Sequence, residues 1–467
     1  MLHLLDMLDI EHRITQLIDS PANALLLTFD LQAAFTRFEI SFFPCTHVLL
    51  ILSKRGNNKH LAPGQLSRLH HLQHDSPSKL LTEAMAHQPP SLSSLAAIPP
   101  EPLAVAQRTE ARKIFYAVVG HFDPGPTDSR HYNAARLVRY TYEYSRSELS
   151  RDIFLRAFFD LMGLELPLDG AIAADLDGEF GRFLKRPAMG RHLVDLAELL
   201  LNSFFVPFKA SGGRTSGPTP DQISAVERAE GESGGEFSST PHRLAALRHS
   251  CLTRDHHRCV VSRKFEVGES DRREAEYGNS NALDDDGDVL YNGRNVFAPL
   301  EVAHIVPHAL TQAKARSELK AALLLLNMFD YNVSHPIDGD SIDKPHNAIT
   351  LTRDHHSSFG SFKIVFTPIP NPPVLNTYRI ENINPAQLLS DIPVTRTLHS
   401  HPDIESPSAR LLAVHRAIAH ILHLSGAGAY IDRILRDAED VGVRSDGSTE
   451  LGRLVGLRLG GFDIACG

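Results

Sequence analysis

Apolar residues recur at three- and four-residue spacing over Arg112–Phe122, Asn133–Tyr144, Leu149–Met162 and Arg191–Phe205, which predicts four amphipathic helices. Asp128-Ser-Arg and Ser145-Arg-Ser-Glu148 supply N-cap chemistry ahead of two of them. From residue 295 the period becomes mixed. Val296–Pro307 reads as a strand ending at proline, Leu310–Phe329 as a helix and Asn347–Thr352 as a short strand. Asp354–Phe359 opens a helix, Phe362–Phe366 alternates like a strand, and Tyr378–Ile380 is placed to pair with it. Pro407–Leu424 and Tyr430–Glu439 read as helices. Ser425-Gly-Ala-Gly428 is the stop between them rather than a phosphate loop.

Composition places breaks between these elements. QPPSLSSLAAIPP at 88–100 reads as a linker, and the Gly/Ser/Pro/Glu-rich stretch 209–240 as a mobile connection. The acidic stretch 266–294 reads as an exposed loop. Its Asp284-Asp-Asp-Gly-Asp288 run is not an EF-hand, because Ala282 and Gly293 would stand at the first and twelfth ligand positions. No apolar run approaches the roughly 18 residues of a membrane span. The amino terminus has no basic leader of the secretory type. The expectation is an intracellular protein of the nucleus or cytoplasm.

The chain also resembles itself. Residues 19–44 align without a gap to 343–368, with 12 of 26 positions identical, Asn23/Asn347, Thr28/Thr352, Asp30/Asp354, Phe35/Phe359 and Phe38/Phe362 among them. Residues 1–87 therefore read as a partial, degenerate repeat in which Gln32 stands where His356 stands.

Charge and cysteine content narrow the chemistry. The net charge of −9 excludes polyanion binding by bulk charge. Residues 242–264, however, carry Arg243, Arg248, Arg254, Arg258, Arg263 and Lys264 against Asp255 alone, and residues 266–288 then carry nine acids against Arg272 and Arg273. Two readings stand for the basic stretch: a grip on phosphates, or a solvated helix face beside an acidic loop. Cys45, Cys251, Cys259 and Cys466 form no C-x-x-C pair, which argues against a zinc ribbon or a disulfide framework.

Three histidine- and asparagine-bearing segments occur in order: Ala303-His304-Ile-Val-Pro307, Asn347-Ala-Ile-Thr-Leu-Thr352 and Asp354-His-His356-Ser-Ser-Phe359, preceded by Arg258-Cys-Val-Val-Ser262. This set resembles the HNH endonuclease family, in particular fungal HNH-domain proteins, over roughly residues 242–435. The resemblance implies an α+β fold, with an HNH ββα-metal core embedded in a mostly α-helical protein. It implies a metal-dependent endonuclease hydrolysing phosphodiester bonds of DNA, with RNA as an alternative substrate. His304 is then the general base, since an imidazole titrating near 6.5 can take a proton from water at neutral pH. Asn347 supports the backbone behind it, and His356 holds Mg²⁺ or Mn²⁺.

One position departs from the family. Many members carry Asp or His directly before the base, as a second metal ligand, and here that residue is Ala303. Glu301 shares its strand face and is the candidate replacement, weighed against a plain solvated strand residue. His308 and Asp354 are other candidates. Arg254, Arg258, Arg263 and Lys264 are the candidate nucleic-acid contacts. His415, His420 and His423 read as core or surface histidines rather than a metal site. The resulting division is a degenerate repeat at 1–87, a helical region at 88–208, a linker at 209–241, a nuclease-like domain at 242–392 and a helical region at 393–467. The competing reading is an HNH fold that binds nucleic acid or protein with weakened turnover.

Overall fold

The computed structural model describes residues 40–45, 48–53, 98–125, 131–167, 181, 184–212, 240–307, 316–337, 339–372, 374–384 and 391–439. Contacts divide the chain into two units, residues 1–90 with 436–454, and residues 91–435 with 455–467. In the first unit, β1 (Ile40–Cys45) and β2 (Val48–Ser53) form an antiparallel hairpin. The remainder of the segment expected to be a degenerate repeat lies outside the described residues.

The second unit opens with α1 (Val105–His121), α2 (Ala134–Glu143) and α3 (Glu148–Leu161). Asn133 caps α2 by accepting from the Arg136 amide, and Ser147 caps α3 by accepting from Ser150. The Asp128 cap lies outside the described residues. Phe115 of α1 makes edge and tilted contacts with Tyr142, Phe154 and Phe158, which closes the three helices on one aromatic core. α4 (Pro187–Leu200) runs through one π turn (Leu201–Phe205) into α5 (Val206–Gly212). Phe204 and Phe205 of that turn pack on Phe329.

At residue 209, where a connection is expected, the chain is still helical. Lys209 is helical and buried, and its ammonium reaches Asp432 at 2.8 Å and donates to the Gly428 carbonyl. At the other end, α6 (Thr240–Arg254) has already begun within the expected linker.

The acidic stretch is not a bare loop. It holds β3 (Phe265–Glu266), α7 (Val267–Tyr277) and β4 (Phe297–Ala298), with β3 and β4 paired in parallel. Glu266 caps α7, and Arg272 and Arg273 clamp Glu269 on its surface. Phe265, Ala282 and Leu290 form a small core beneath it. The strand expected over Val296–Pro307 is broken by Pro299, which has no amide to donate. β4 pairs on one side of the break. β5 (Leu300–His304) pairs on the other, antiparallel to β6 (Ala348–Thr352).

α8 (Arg316–Phe329) and three short 3₁₀ turns (His335–Ile337, Gly339–Asp343, Pro345–Asn347) connect β5 to β6. α9 (Arg353–Gly360) follows, then an antiparallel sheet of β7 (Ile364–Pro368), β8 (Thr377–Asn382) and β9 (Val394–Thr397). That sheet extends past residue 392, with β9 in the segment expected to be only helical. α10 (Ala409–Ser425) and α11 (Ala427–Glu439) complete the described chain, with Gly426 left-handed at the junction (φ 77°). The architecture is mixed helix and small sheets. Among the described residues no helix is long and apolar enough to cross a membrane.

α10 is fastened to α9 by one histidine. His415 is buried, stacks on Phe359 at 3.9 Å and on Phe362 at 4.5 Å, and donates through Nε2 to the Phe359 carbonyl. Burial pushes its imidazole down to about 3. The unfolded ring protonates near pH 6.5, so this contribution is complete above that pH and is lost progressively between about 6.5 and 3. At pH 5 the loss is about 2 kcal/mol relative to neutral pH. His415→Gln keeps the donor and removes the titration, so urea melts at pH 7 and pH 5 should show a smaller acid loss in the variant. Equal losses in the two proteins would assign the acid sensitivity elsewhere.

Candidate active site

The β5–β6 hairpin is held between two helices. Its register places Val302 opposite Thr350 and His304 opposite Ala348. Val302 and Ala348 pack on Leu247 and Cys251 of α6, so this is the α6 face of the ribbon. Glu301 and Ala303 alternate onto the other face, toward α9.

The sequence-predicted residues come together in two pairs. On the α9 face, His356 Nδ1 lies 2.7 Å from Glu301 Oε2. The carboxylate can only accept, so Nδ1 carries the shared proton. The His356 side chain is buried, and that of Glu301 is about one-third exposed (35%). On the α6 face, His304 Nε2 lies 3.1 Å from Asp343 Oδ1, and Arg243 Nε of α6 donates to Asp343 Oδ2 at 3.3 Å. The imidazole and the carboxylate are both nearly sealed, at 3% and 1% exposure. Asp343 and Arg243 were not among the sequence candidates for this site.

Asn347 is fully buried and braces the chain directly beyond His304. Its Oδ1 accepts from the Val306 amide, and its Nδ2 donates to the Val306 and Ile342 carbonyls. The Asn347 carbonyl accepts from Ile305. One side chain thereby fixes the strand exit and the turn that carries Asp343.

His355, the neighbour of His356, faces elsewhere. Its Nδ1 meets Thr352 Oγ1 at 2.7 Å and the Cys259 thiol at 3.9 Å. Burial alone would push that thiol up, but the His355 ring and the Ser262 and Thr352 amides outweigh it and bring Cys259 down to about 7. Asp354 is exposed, and His308 lies outside the described residues. His420 stacks on Tyr144.

The basic stretch separates into different roles. Arg254 is fully buried and engages Asp255 with two nitrogens, so it is a structural strut and cannot reach a phosphate. Arg258 is spent on Asp284 at 2.6 Å and on Asn295, over the ring of Phe265. The run His256-His257-Arg258 pairs in reverse order with Asp286, Asp285 and Asp284, so the charge of Arg258 is neutralised by the acidic stretch. Arg263 donates to the Thr397 carbonyl, and burial lowers its guanidinium. Lys264 is half-buried and follows the left-handed Arg263, just past the turn at 260–262.

Among the described residues no group of three or more His, Cys, Asp or Glu side chains is arranged to hold a metal ion. The Glu301–His356 pair is a smaller donor set. Its 2.7 Å separation is close to the roughly 3 Å between neighbouring ligands of an octahedral ion with bonds of about 2.1 Å. Two such donors fit Mg²⁺ or Mn²⁺ completed by water and substrate phosphate, and do not fit a closed zinc site.

Neither a curated protein nor a solved structure matches the chain. Residues 259–367 match the family model described as HNH endonuclease, a span that begins at Cys259 and takes in His304, Asn347 and His356, and the chain thus carries an HNH-family domain over that segment.

Proposed function

We propose that this domain hydrolyses phosphodiester bonds in DNA with a divalent ion, His304 acting as general base and His356 with Glu301 holding the ion. The observation that carries the reading is the Glu301–His356 pair, which sets a carboxylate beside the helix histidine although Ala303 stands at the usual ligand position. When bound, Mg²⁺ or Mn²⁺ supplies positive charge to the phosphate oxygens and the leaving oxygen. His304 takes the proton from the attacking water, and Asn347 keeps the end of β5 in place while it does so. Lys264 and the exposed Lys344 and Arg353, which flank the turn and start α9, are candidate cations to meet substrate phosphates.

The test is supercoiled plasmid incubated with full-length protein and Mg²⁺ or Mn²⁺, beside His356→Ala and Glu301→Gln. Nicking that needs the ion and rises in apparent metal requirement by about tenfold or more in either variant supports the assignment. Cleavage with an unaltered metal requirement in both would remove it.

A second reading is a nucleic-acid-binding module with little turnover. Two observations favour it: His304 is 3% exposed, and it faces α6 while Glu301 faces α9. No cleavage with either ion, together with salt-sensitive DNA binding, would select this reading.

A further inference from the structure

We infer that Asp343 is the positioning residue for His304, and that Arg243 sets the strength of that partnership from a different helix. The inference rests on the proposed role of His304 as base and specifies how the protein prepares it.

Three observations carry it. His304 Nε2 lies 3.1 Å from Asp343 Oδ1, and both side chains are almost wholly withdrawn from water. An ionised carboxylate offers no proton, so the imidazole must carry its own on Nε2. The lone pair is thereby placed on Nδ1, a buried atom that must be uncovered before it accepts the water proton. The carboxylate is itself fixed. Its second oxygen accepts from Arg243 Nε at 3.3 Å, and its 3₁₀ turn is tied through the Ile342 carbonyl to Asn347. Asn347 in turn holds Val306, two residues beyond His304. Base, orienting acid and backbone brace are therefore one connected unit, and its members come from β5, the turn before β6, and α6. Asp343 favours the protonated imidazole, and Arg243 opposes it by drawing on the same carboxylate.

Those opposed effects give a signature that a packing role lacks. Asp343→Asn keeps the volume and the accepting oxygen but loses the charge. Arg243→Gln leaves the charge of Asp343 less compensated. Under the proposal Asp343→Asn lowers the maximal cleavage rate by about 10- to 100-fold, with KM within about twofold, and moves the acid limb of the pH–rate profile to lower pH. Arg243→Gln moves that limb to higher pH. Limbs that stay in place, or move the same way in both variants, overturn it.

The His304 ring is also to be followed by ¹⁵N NMR in the full-length protein. If the wild type does not cleave DNA, the nuclease reading fails while the ring still decides this one. An Nε2–H tautomer whose titration moves in opposite senses in the two variants supports the Asp343 assignment. An Nδ1–H tautomer, or a titration indifferent to both substitutions, removes it.

Discussion

Replacing Arg254 with alanine should cost about 3–5 kcal/mol of folding stability. Arg254 and Asp255 are both fully buried and form a two-pronged pair, with 2.9 Å contacts from Nε to Oδ1 and from Nη2 to Oδ2. The guanidinium also donates to the carbonyls of Pro345, Ala348 and Glu405, joining α6 to the turn before β6 and to the segment before α10. Asp255 in turn accepts from the Thr350 amide in β6. Alanine leaves a buried carboxylate with that one amide from the hairpin, and takes a donor from three carbonyls, of which Pro345 keeps the Ala348 amide. Lysine keeps the charge but cannot fork across the carboxylate and the carbonyls, so Arg254→Lys should recover only part of the loss. Urea unfolding of the two variants against wild type measures this. The outcome also separates the roles open to this residue. A phosphate contact would weaken DNA binding and leave the unfolding midpoint within experimental error, which would refute the strut.

The contrast shows what the sequence can carry. Arg254 and Lys264 both belong to one basic run, and nothing in a linear run of charge distinguishes an arginine under a hairpin from a lysine just past a turn. The distinction comes from Asp255, the immediate neighbour of Arg254, and from carbonyls 91 and 151 residues away. The acidic stretch misled for a related reason. Its high charge reads as solvated loop, yet the charges are spent locally, Arg273 on Glu269 and Asp285, and Arg258 on Asp284, while Phe265, Ala282 and Leu290 supply a core too sparse to register as a period. By contrast the strand–turn–strand–helix order around His304, Asn347 and His356 was legible, because each element is short and each motif residue sits at its boundary. That Glu301 shares a strand face with Ala303 was legible from alternation, and the structure sets its carboxylate beside His356. Asp343 was not singled out, although the self-similar segments both open on an aspartate, Asp19 and Asp343. Its partner is 39 residues away, and the 3₁₀ turns that aim it carry no periodic signal.

His304→Ala should lower metal-dependent cleavage by about 10²- to 10⁴-fold, the range expected for removing a positioned general base and equivalent to roughly 3–5 kcal/mol in the barrier. The substitution also takes a partner from buried Asp343, so loss of activity alone would not separate chemistry from folding. Arg243 remains 3.3 Å from the other carboxylate oxygen and Asn347 keeps its bonds to Val306 and Ile342, so the scaffold has reason to survive. The decisive comparison is therefore threefold: the cleavage rate, the unfolding midpoint, and the salt dependence of DNA binding measured in Ca²⁺. With the last two held near wild type, a rate drop of 10² or more places the missing free energy in the transition state. A variant that still cleaves within a few-fold of wild type leaves His304 as a buried tie between β5 and α6, and the proton acceptor must then be sought on the α9 face, beside Glu301 and His356.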